Sequence, residues 1–493
     1  MRVSKFGAMA IGFYAMLAVR VVAAQDPMPM PMPMPMPENA QHEHMNIQPV
    51  VPVYPRLGRA QEHPSSPLFT LADAQRIAAE SNPTLRQAAA EIRAAQARTK
   101  QAALYPNPTV GYSGDEIRGG SQGGGKQGFF VEQKIVTGGK LARAQDVASK
   151  EVRLAEIEAE EQKIRVESAV KIAYYRVLAA QEIVGFRRDL ADIAKDYATT
   201  ERQLLNSGQA DETEVLDAEL DAQRLRLTAR MQENSLREAW TCLASVLGRG
   251  DLPLATVAGD LERDWPNLEE QQTADNIATQ SPAVRIADAA SARATAEIAR
   301  AKHEYIPDLQ LRGGLEYNNE QLDTVPHAKG WEGIAGVAVQ LPIFNRNQGN
   351  IIAANANLDR AELEQQRVAL ALRERAATAI EQYANAKLTA GVYRDELLPL
   401  AKKSYTLMVQ KYGMMLAAYP RVIQSQRKLF ELETEYVQVL EGVWTSGTAL
   451  TSYLLTDGLE APARPGEMDL PMREMNLPLP DPDISSVGSM PRN

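Results

Sequence analysis

Residues 308–317, with the sequence DLQLRGGLEY, decide the fold because their side chains alternate between two chemical types. Leucine or tyrosine stands at 309, 311, 315 and 317, while polar or charged residues stand at 308, 310, 312 and 316. A period of two is typical of a β-strand with one apolar and one polar face. Residues 331–343 carry a second apolar series from Gly333 to Ile343, with Glu332 and Gln340 on the opposite face. The pattern predicts two strands, over 308–317 and 331–343.

The first half of the chain repeats this arrangement, with strands predicted over 109–116 and 129–136. In each half a helix precedes the strands: one opens at Asn82-Pro83 and stops at Tyr105-Pro106, and the other opens at Ser281-Pro282 and stops before Pro307. Each half then continues as a long helix, a tight turn and a returning helix. The chain therefore reads as two structural repeats, 71–247 and 273–455, joined by a linker over 248–272.

The long helices have the spacing of a coiled coil. Residues 140–206 contain no proline and a single glycine, and at 1.5 Å per residue such a helix is about 100 Å long. Its apolar seam steps by three and four through Ile183, Phe186, Leu190, Ile193, Tyr197 and Leu204. The returning helices carry similar series, Leu216, Leu220 and Leu227 in the first repeat and 422–443 in the second. In the second long helix, over 349–412, Pro399 removes a backbone hydrogen bond and predicts a bend.

The two ends of the chain have a different composition. Residues 1–24 have the basic start, apolar stretch and small-residue end of a signal peptide, so export is expected. Residues 25–67 form a linker rich in Met, Pro and His, and 456–493 a C-terminal tail, and both are predicted to be disordered. The net charge of -10 argues against a nucleic-acid partner, because phosphate binding needs clustered Lys and Arg.

Strands of about 9 to 11 residues with this alternation suit a barrel that spans a bilayer around a polar interior. A soluble sheet with one face on a core has the same periodicity, so that alternative stays open. Export and the polar or Gly-rich loops at 118–126 and 318–329 favour the barrel. Four strands are too few to close one, so several copies must contribute: two chains give eight strands and three give twelve.

Several segments together resemble the TolC-type outer-membrane efflux proteins, and specifically the heavy-metal efflux branch typified by CzcC and CusC. The resemblance covers roughly residues 68–455. It rests on Asn82-Pro83 and on the segments 105–108, 132–140 (EQKIVTGGK), 341–351 (LPIFNRNQGNI) and 394–400 (RDELLPL).

This resemblance implies a mainly α-helical chain with a small β part, in which four strands per chain form a twelve-stranded barrel in a homotrimer above a coiled-coil helical tunnel. It implies a place in the cell outer membrane, in contact with its lipid, with the helical part in the periplasm. The implied partners are a periplasmic adaptor protein and an inner-membrane transporter of the RND type. The implied function is the passive exit channel of a tripartite efflux pump. Metal ions such as copper or silver are the expected cargo.

Two turns are expected at the periplasmic end of the tunnel. The first contains Gly208 as a helix stop and Asp211 as the following N-cap, and the second runs from Gly413 to Pro420. Just beyond them, the segment 214–217 corresponds to 421–424. Relatives that gate with an aspartate ring place it at the second-repeat positions, which here are Arg421 and Gln424. The alternatives are an ion pair between Arg421 and Glu214 or Asp217 that latches a closed state, and four solvated charges or polar groups at helix ends.

The N-terminal linker carries candidate ligands for a soft metal. Thioethers and imidazoles are accepted by Cu(I), and alternating proline keeps a segment extended. A capture arm for Cu(I) or Ag(I) is one interpretation, and a repetitive proline-rich linker is the other. The candidate ligands are Met28, Met30, Met32, Met34, Met36, His42, His44 and Met45.

No arrangement of catalytic residues is present in the sequence, so neither an enzyme nor a cofactor is predicted. Two other functions stay open beside metal export. The duct could carry drugs or secreted proteins instead, or the chain could be a periplasmic scaffold that conducts nothing.

Overall fold

The computed structural model describes residues 68–118, 124–319 and 329–460. The first half contains α1 (Leu71–Ser81), α2 (Pro83–Ala102), β1 (Thr109–Arg118), β2 (Gly124–Ile135), α3 (Lys140–Asn206) and α4 (Glu212–Val246). The second half contains α5 (Glu270–Gln280), α6 (Pro282–His303), β3 (Leu309–Asn318), β4 (Gly330–Val339), α7 (Gln348–Val392), a π-helix (Tyr393–Leu397), α8 (Leu398–Gly413) and α9 (Tyr419–Thr451). Both halves have the same order of elements, and the predicted mainly helical fold with a four-stranded sheet is confirmed.

The corresponding helices α2 and α6 begin in the same way. The Asn82 side chain accepts a hydrogen bond from the backbone N–H of Thr84 at 2.8 Å, and the Ser281 hydroxyl accepts one from Val284 at 3.4 Å. In each helix the next residue is proline, whose missing N–H costs nothing in the first turn. These paired caps explain why the sequence signal for both helix starts is strong.

The four strands form one antiparallel sheet in the order β1-β2-β3-β4. Each half supplies one hairpin, and β2 pairs with β3 to join them. The prediction that the fourth strand extends to Ile343 is wrong, because β4 ends at Val339. Val339 is opposite Leu309, the first residue of β3, and Pro307, two residues before Leu309, has no N–H to extend the ladder.

The helices lie side by side around α3. Helix α4 packs against α3 on one flank, α9 packs against α3 on another, and α7 and α8 pack against α9. The core between them buries Tyr174, Leu243, Tyr436 and Leu440. The predicted linker contributes to this core through Leu261, which is 1 % exposed and whose carbonyl accepts a hydrogen bond from the Trp444 indole at 3.0 Å.

The predicted seams have different outcomes in the two repeats. On α9, Val422, Leu429, Tyr436 and Val443 are buried within the chain. On α4, Leu216, Leu220 and Leu227 are between 54 % and 60 % exposed, so their expected packing does not occur inside one protomer. Helix α4 packs against α3 through another face instead, which includes Val215, Ala218 and Leu243.

Two further predictions concern local irregularities. The sequence predicts a bend at Pro399, and a π-helix ends two residues before it, at Leu397. The wider turn relieves the clash between the proline ring and the preceding carbonyls. The C-terminal tail is predicted to begin at 456, but Gly458 and Glu460 contact α2 and α3. The Gln162 amide donates to the Glu460 carbonyl at 3.1 Å, and the carboxylate of Glu460 pairs with Arg165.

Within the described ranges, none of the helices is both long enough and apolar enough to cross a membrane.

Candidate functional site

One face of the sheet is apolar and exposed in the protomer. Tyr112, Phe129 and Leu315 lie side by side across three strands, because they are register partners. They are 57 % to 66 % exposed, although large apolar side chains are usually buried. Further exposed apolar residues continue this face: Val110, Val131, Leu311, Tyr317, Trp331, Val337 and Val339.

Two pairs of aromatic side chains lie on this apolar face, one in the middle of the sheet and one at its hairpin-loop end. Tyr112 contacts Phe129 edge-to-face at 5.7 Å between ring centroids, and Tyr317 contacts Trp331 in the same way at 5.6 Å. Aromatic rings of this kind form girdles at the interfaces of membrane barrels. Of the two pairs, Tyr317 and Trp331 give the apolar band an aromatic border at the hairpin-loop end.

The opposite face of the sheet is polar and internally hydrogen-bonded. Glu316 is 6 % exposed and accepts a hydrogen bond from the Ser113 hydroxyl at 2.9 Å. Glu332 accepts one from the Lys126 ammonium at 2.9 Å and one from the Asn318 amide at 2.7 Å. The alternation of the sequence therefore separates apolar and charged side chains onto the two faces as predicted.

A charged cluster, which sequence reasoning missed, joins the sheet to the long helix. The Asp308 carboxylate lies 2.8 Å from the Lys140 Nζ atom and 3.0 Å from the Lys134 Nζ atom, and it also accepts a hydrogen bond from the backbone N–H of Thr137 at 3.1 Å. Asp308 and Lys140 are only 14 % and 11 % exposed. The only signal in the sequence is that charged residues stand where strands end, so the pairing itself depends on the tertiary fold.

The α3–α4 turn has the geometry that its sequence predicts. Gly208 has a φ of +73° and follows the end of α3, and the backbone N–H of Gln209 donates to the Leu204 carbonyl at 2.8 Å. This is the six-to-one bond of a Schellman motif. Asp211 then caps α4 by accepting from the backbone N–H of Glu212 at 2.7 Å, and Glu214 completes a capping box.

The α8–α9 turn differs from the prediction at its glycine. Gly413 is the last residue of α8 and has no left-handed conformation, whereas Met415 has a φ of +58°. The Leu416 N–H donates to the Lys411 carbonyl at 2.8 Å, so Met415 takes the place that Gly208 has in the first turn. Helix α8 therefore stops at Gly413 as predicted, but the left-handed conformation of the turn lies two residues later, at Met415. Pro420 lies in the first turn of α9.

The four gate candidates Glu214, Asp217, Arg421 and Gln424 are all exposed near these turns. Among the described residues, Arg421 forms no ion pair with Glu214 or Asp217. The ion pairs that join helices here lie farther from the turns. Arg427 on α9 pairs with Asp221 on α4 at 2.8 Å, and Arg202 on α3 pairs with Glu219 on α4.

Three tyrosines near the turns form a cluster that sequence reasoning also missed. The Tyr419 ring lies 5.0 Å from Tyr197 on α3 and 5.2 Å from Tyr412 on α8. Burial raises the pKa of Tyr419, and burial together with the neighbouring carboxylate of Glu201 raises that of Tyr197. The rings thus stay neutral and hold the α8–α9 turn against α3. Tyr412 and Tyr419 flank the turn in the sequence, which is the signal that could have indicated them.

The candidate metal ligands between Met28 and Met45 lie outside the described residues. In the part of the chain that the structure does describe, there is no group of three or more His, Cys, Asp or Glu side chains that could hold a metal ion.

Both halves of the chain are similar to a known protein family. The sequence profile of the family described as "Outer membrane efflux protein" matches residues 75–249 and 273–454, one match in each half. The chain is 25% identical over 409 residues to the cobalt-zinc-cadmium resistance protein CzcC of Cupriavidus metallidurans, which covers 82% of this chain and 93% of that protein. It is 26% identical over 271 residues to the cation efflux system protein CusC of Escherichia coli K12, with coverage of 53% and 56%.

Solved structures show the same fold. A membrane protein of Pseudomonas aeruginosa superimposes with a TM-score of 0.63 at 18% identity, over 78% of this chain and 93% of that one. The outer membrane protein VceC of Vibrio cholerae superimposes with a TM-score of 0.61 at 16% identity, over 79% and 97% of the two chains. The two profile matches, one in each repeat, together cover most of the chain. The chain therefore belongs to the outer membrane efflux protein family.

Proposed function

We propose that three copies of this chain form one continuous duct, with a twelve-stranded barrel in the outer membrane and a helical tunnel in the periplasm, and that the duct is the exit channel of a tripartite efflux pump. The observation that carries the proposal is the four-stranded sheet. It has one apolar exposed face, one polar face, and two edge strands, β1 and β4.

The edge strands argue for assembly. In a bilayer every backbone polar group needs a partner, so an open sheet edge does not persist there. Four strands cannot close on themselves, whereas β4 of one copy can pair with β1 of the next until a ring forms. Because the two edges differ, the contact is head-to-tail, and such contacts generate closed rings when the rotation closes.

The helices support the same arrangement. Within the row of helices, α4 lies at one flank and α7 with α8 at the other. Both flanks expose leucines to solvent in the protomer: Leu216, Leu220 and Leu227 on α4, and Leu363, Leu370, Leu388, Leu400 and Leu407 on α7 and α8. Packing one flank on the other flank of the next copy buries both sets and closes a tube below the barrel.

The orientation follows from the two ends of the protomer. The apolar face contacts outer-membrane lipid, and the polar face lines the bore. The α3–α4 and α8–α9 turns lie about 100 Å from the sheet, the length of α3, and they are the proposed contact with a periplasmic adaptor and an inner-membrane transporter of the RND type. Glu214, Asp217, Arg421 and Gln424 surround the proposed constriction at this end.

We propose heavy-metal cations as the cargo. The names of the relatives support this: two are cobalt-zinc-cadmium and nickel-cobalt-cadmium resistance proteins, and another belongs to a cation efflux system. The methionines and histidines of residues 28–45 are proposed to capture Cu(I) or Ag(I) for the duct.

Assembly and conduction test the duct. Light scattering of the purified, detergent-solubilised chain is expected to give three chain masses per particle, and planar bilayers are expected to show discrete conductance steps. A monodisperse monomer in plain buffer without detergent contradicts the membrane assignment. A trimer that never conducts supports the scaffold alternative.

Cargo is tested separately. A deletion strain is expected to lose resistance to copper, silver, zinc or cobalt and to regain it with the full-length gene, whereas sensitivity to drugs alone indicates the alternative cargo. For the N-terminal arm, a peptide of residues 25–46 is titrated with Cu(I) beside a control in which every Met is Leu. Equal affinities refute the capture role.

A further inference from the structure

The aromatic ring of Phe130 lies on the mainly polar face of the sheet, between two glycines. Its register partners are Gly111 on β1 and Gly314 on β3. In a sheet, side chains of directly opposite residues stand next to one another, so glycine on both sides leaves room for a ring to lie across the strands. The arrangement joins three strands of the sheet.

The ring of Phe130 occupies the space where a side chain at Gly111 would begin. A Cβ atom at Gly111 would lie 2.7 Å from Phe130 Cε1, closer than real Cβ atoms approach a neighbour, and 3.1 Å from Cε2, which is a very tight contact. The tip of the ring therefore lies over Gly111 in β1. The Arg312 guanidinium lies over the ring, with its Cζ atom 3.9 Å from the centroid, which is a cation–π contact.

Two glycines in the second hairpin, both on the apolar face, have no such close neighbours. A Cβ atom at Gly333 would meet nothing within 4 Å, and one at Gly313 would meet only the Ile334 carbonyl oxygen at 4.0 Å. Gly128 and Gly314, on the polar face, lie against the backbone of a neighbouring strand, so a side chain there would disturb the sheet itself. Gly111 differs from these two polar-face glycines because the three atoms nearest to a Cβ there all belong to the Phe130 side chain.

We propose that Gly111 sets the free width of the barrel bore by letting the Phe130 ring lie against the wall, where Arg312 covers it. The inference rests on the proposed duct, in which the polar face lines the bore and three copies place three such rings at one level. A methyl group at position 111 would take the place of the ring tip. The β1 backbone blocks movement of the ring into the wall, so the ring would turn into the bore and lower the size limit for passing solutes.

Thiol accessibility tests this at the right level of the bore. The only cysteine is first removed by Cys242→Ser, and Thr109→Cys then provides a reporter. Thr109 is on the same face as Gly111 and one inward-facing position farther from the hairpin loops, so a reagent added from outside the cell passes the Phe130 level to reach it. The full-length protein is labelled in intact cells with a small methanethiosulfonate and with a maleimide that carries a polyethylene glycol chain.

The expected result is that Gly111→Ala slows labelling by the bulky reagent several-fold and leaves the rate of the small reagent unchanged. Adding Phe130→Ala restores the bulky rate, because the obstructing ring is gone. Gly333→Ala, on the apolar face, changes neither rate. Unchanged labelling of the small reagent also shows that the Gly111→Ala barrel has assembled.

Two results overturn the inference: the same bulky-to-small ratio with and without Gly111→Ala, or a slowed rate that Phe130→Ala does not restore. A loss of small-reagent labelling in Gly111→Ala also counts against it, because the methyl group would then have disturbed the wall rather than the ring. If the small reagent does not label the parent protein, no open bore leads to Thr109, and that result contradicts the proposed function as well.

Discussion

At the scale of single residues, the two helical turns solve one geometric problem with different chemistry. Gly208 and Met415 both have a left-handed backbone between an ending helix and its Schellman bond. Glycine takes this conformation without strain, whereas a residue with a Cβ atom lowers the stability of the fold by about 1 kcal/mol. Met415 is also 95 % exposed, so its side chain gains no packing that offsets the strain.

Met415→Gly is therefore expected to stabilise the α8–α9 turn by roughly 1 kcal/mol. Hydrogen exchange of the amides of α8 and α9 next to the turn measures this as slower local opening. The control is Met414→Gly, at a neighbouring exposed residue whose φ of -91° needs no glycine, and it is expected to loosen the turn. If exchange is slower in the control as well, the cause is the loss of an exposed apolar side chain, and the explanation by backbone strain is wrong.

The charge cluster at Asp308 supports a second residue-scale prediction. Asp308→Asn keeps an oxygen for the Thr137 N–H but leaves Lys140, which is 11 % exposed, without an anionic partner. Removing one member of a largely buried pair costs about 3 kcal/mol. Faster hydrogen exchange over 134–140 is expected. Asp395→Asn is the matched control, because that carboxylate is 61 % exposed and its pair with Arg394 contributes at most about 1 kcal/mol.

At the scale of elements, the sequence predicts what repeats along the chain and misses what depends on neighbouring strands and helices. The bounds of α3 and the caps of α2 and α6 follow from local signals, since proline, capping side chains and apolar spacing act within a few residues. The early end of β4 depends on Pro307, which precedes the paired strand. The Phe130 arrangement needs the register of three strands, and no local pattern contains a register.

Helix α9 contains an acidic residue at a seam position, which predicts a pH dependence. Glu433 is 2 % exposed, and burial raises its pKa to about 7, an effect that nearby Asp189 on α3 strengthens and Lys402 on α8 opposes at 3.7 Å. The folded chain therefore holds a proton that the unfolded chain, with an ordinary pKa near 4.5, releases. Stability from this group is fully present below pH 4.5 and is lost as the pH rises to about 7, at about 1.4 kcal/mol per pH unit.

Glu433→Gln is expected to remove this part of the dependence. Between pH 5 and pH 8, the melting temperature of the parent protein falls relative to that of the variant, measured in detergent with the full chain. Glu158, whose pKa burial raises to about 8, contributes in the same direction and remains in both proteins, so the difference between them isolates Glu433. Glu431→Gln, at an exposed position of α9, serves as the control and is expected to run parallel to the parent.

At the scale of the whole molecule, the protomer is an incomplete object. Its two edge strands, its two helical flanks and the apolar face of its sheet are uncovered in the single chain, and in the proposed trimer other copies and lipid cover them. Periodicity along the sequence predicts that the sheet face and the α4 flank are apolar, but it does not predict what covers them. The leucine seam of α4 has the spacing of a core helix, and periodicity does not say whether the partner helix belongs to the same chain.

Leu220→Glu tests whether the α4 flank is an interface between copies. Leu220 is 54 % exposed in the protomer, so a carboxylate there leaves the single chain folded. In the proposed trimer it loses at least about 2 kcal/mol of apolar burial per contact, which weakens each contact roughly 30-fold. Light scattering is expected to show smaller particles, with unchanged helix content by circular dichroism. The control is Thr228→Glu, which introduces the same charge about 100° around the helix axis from Leu227. This variant is expected to stay trimeric. If Leu220→Glu stays trimeric as well, the copies meet through some other surface, and the head-to-tail closure of the helical tube is wrong.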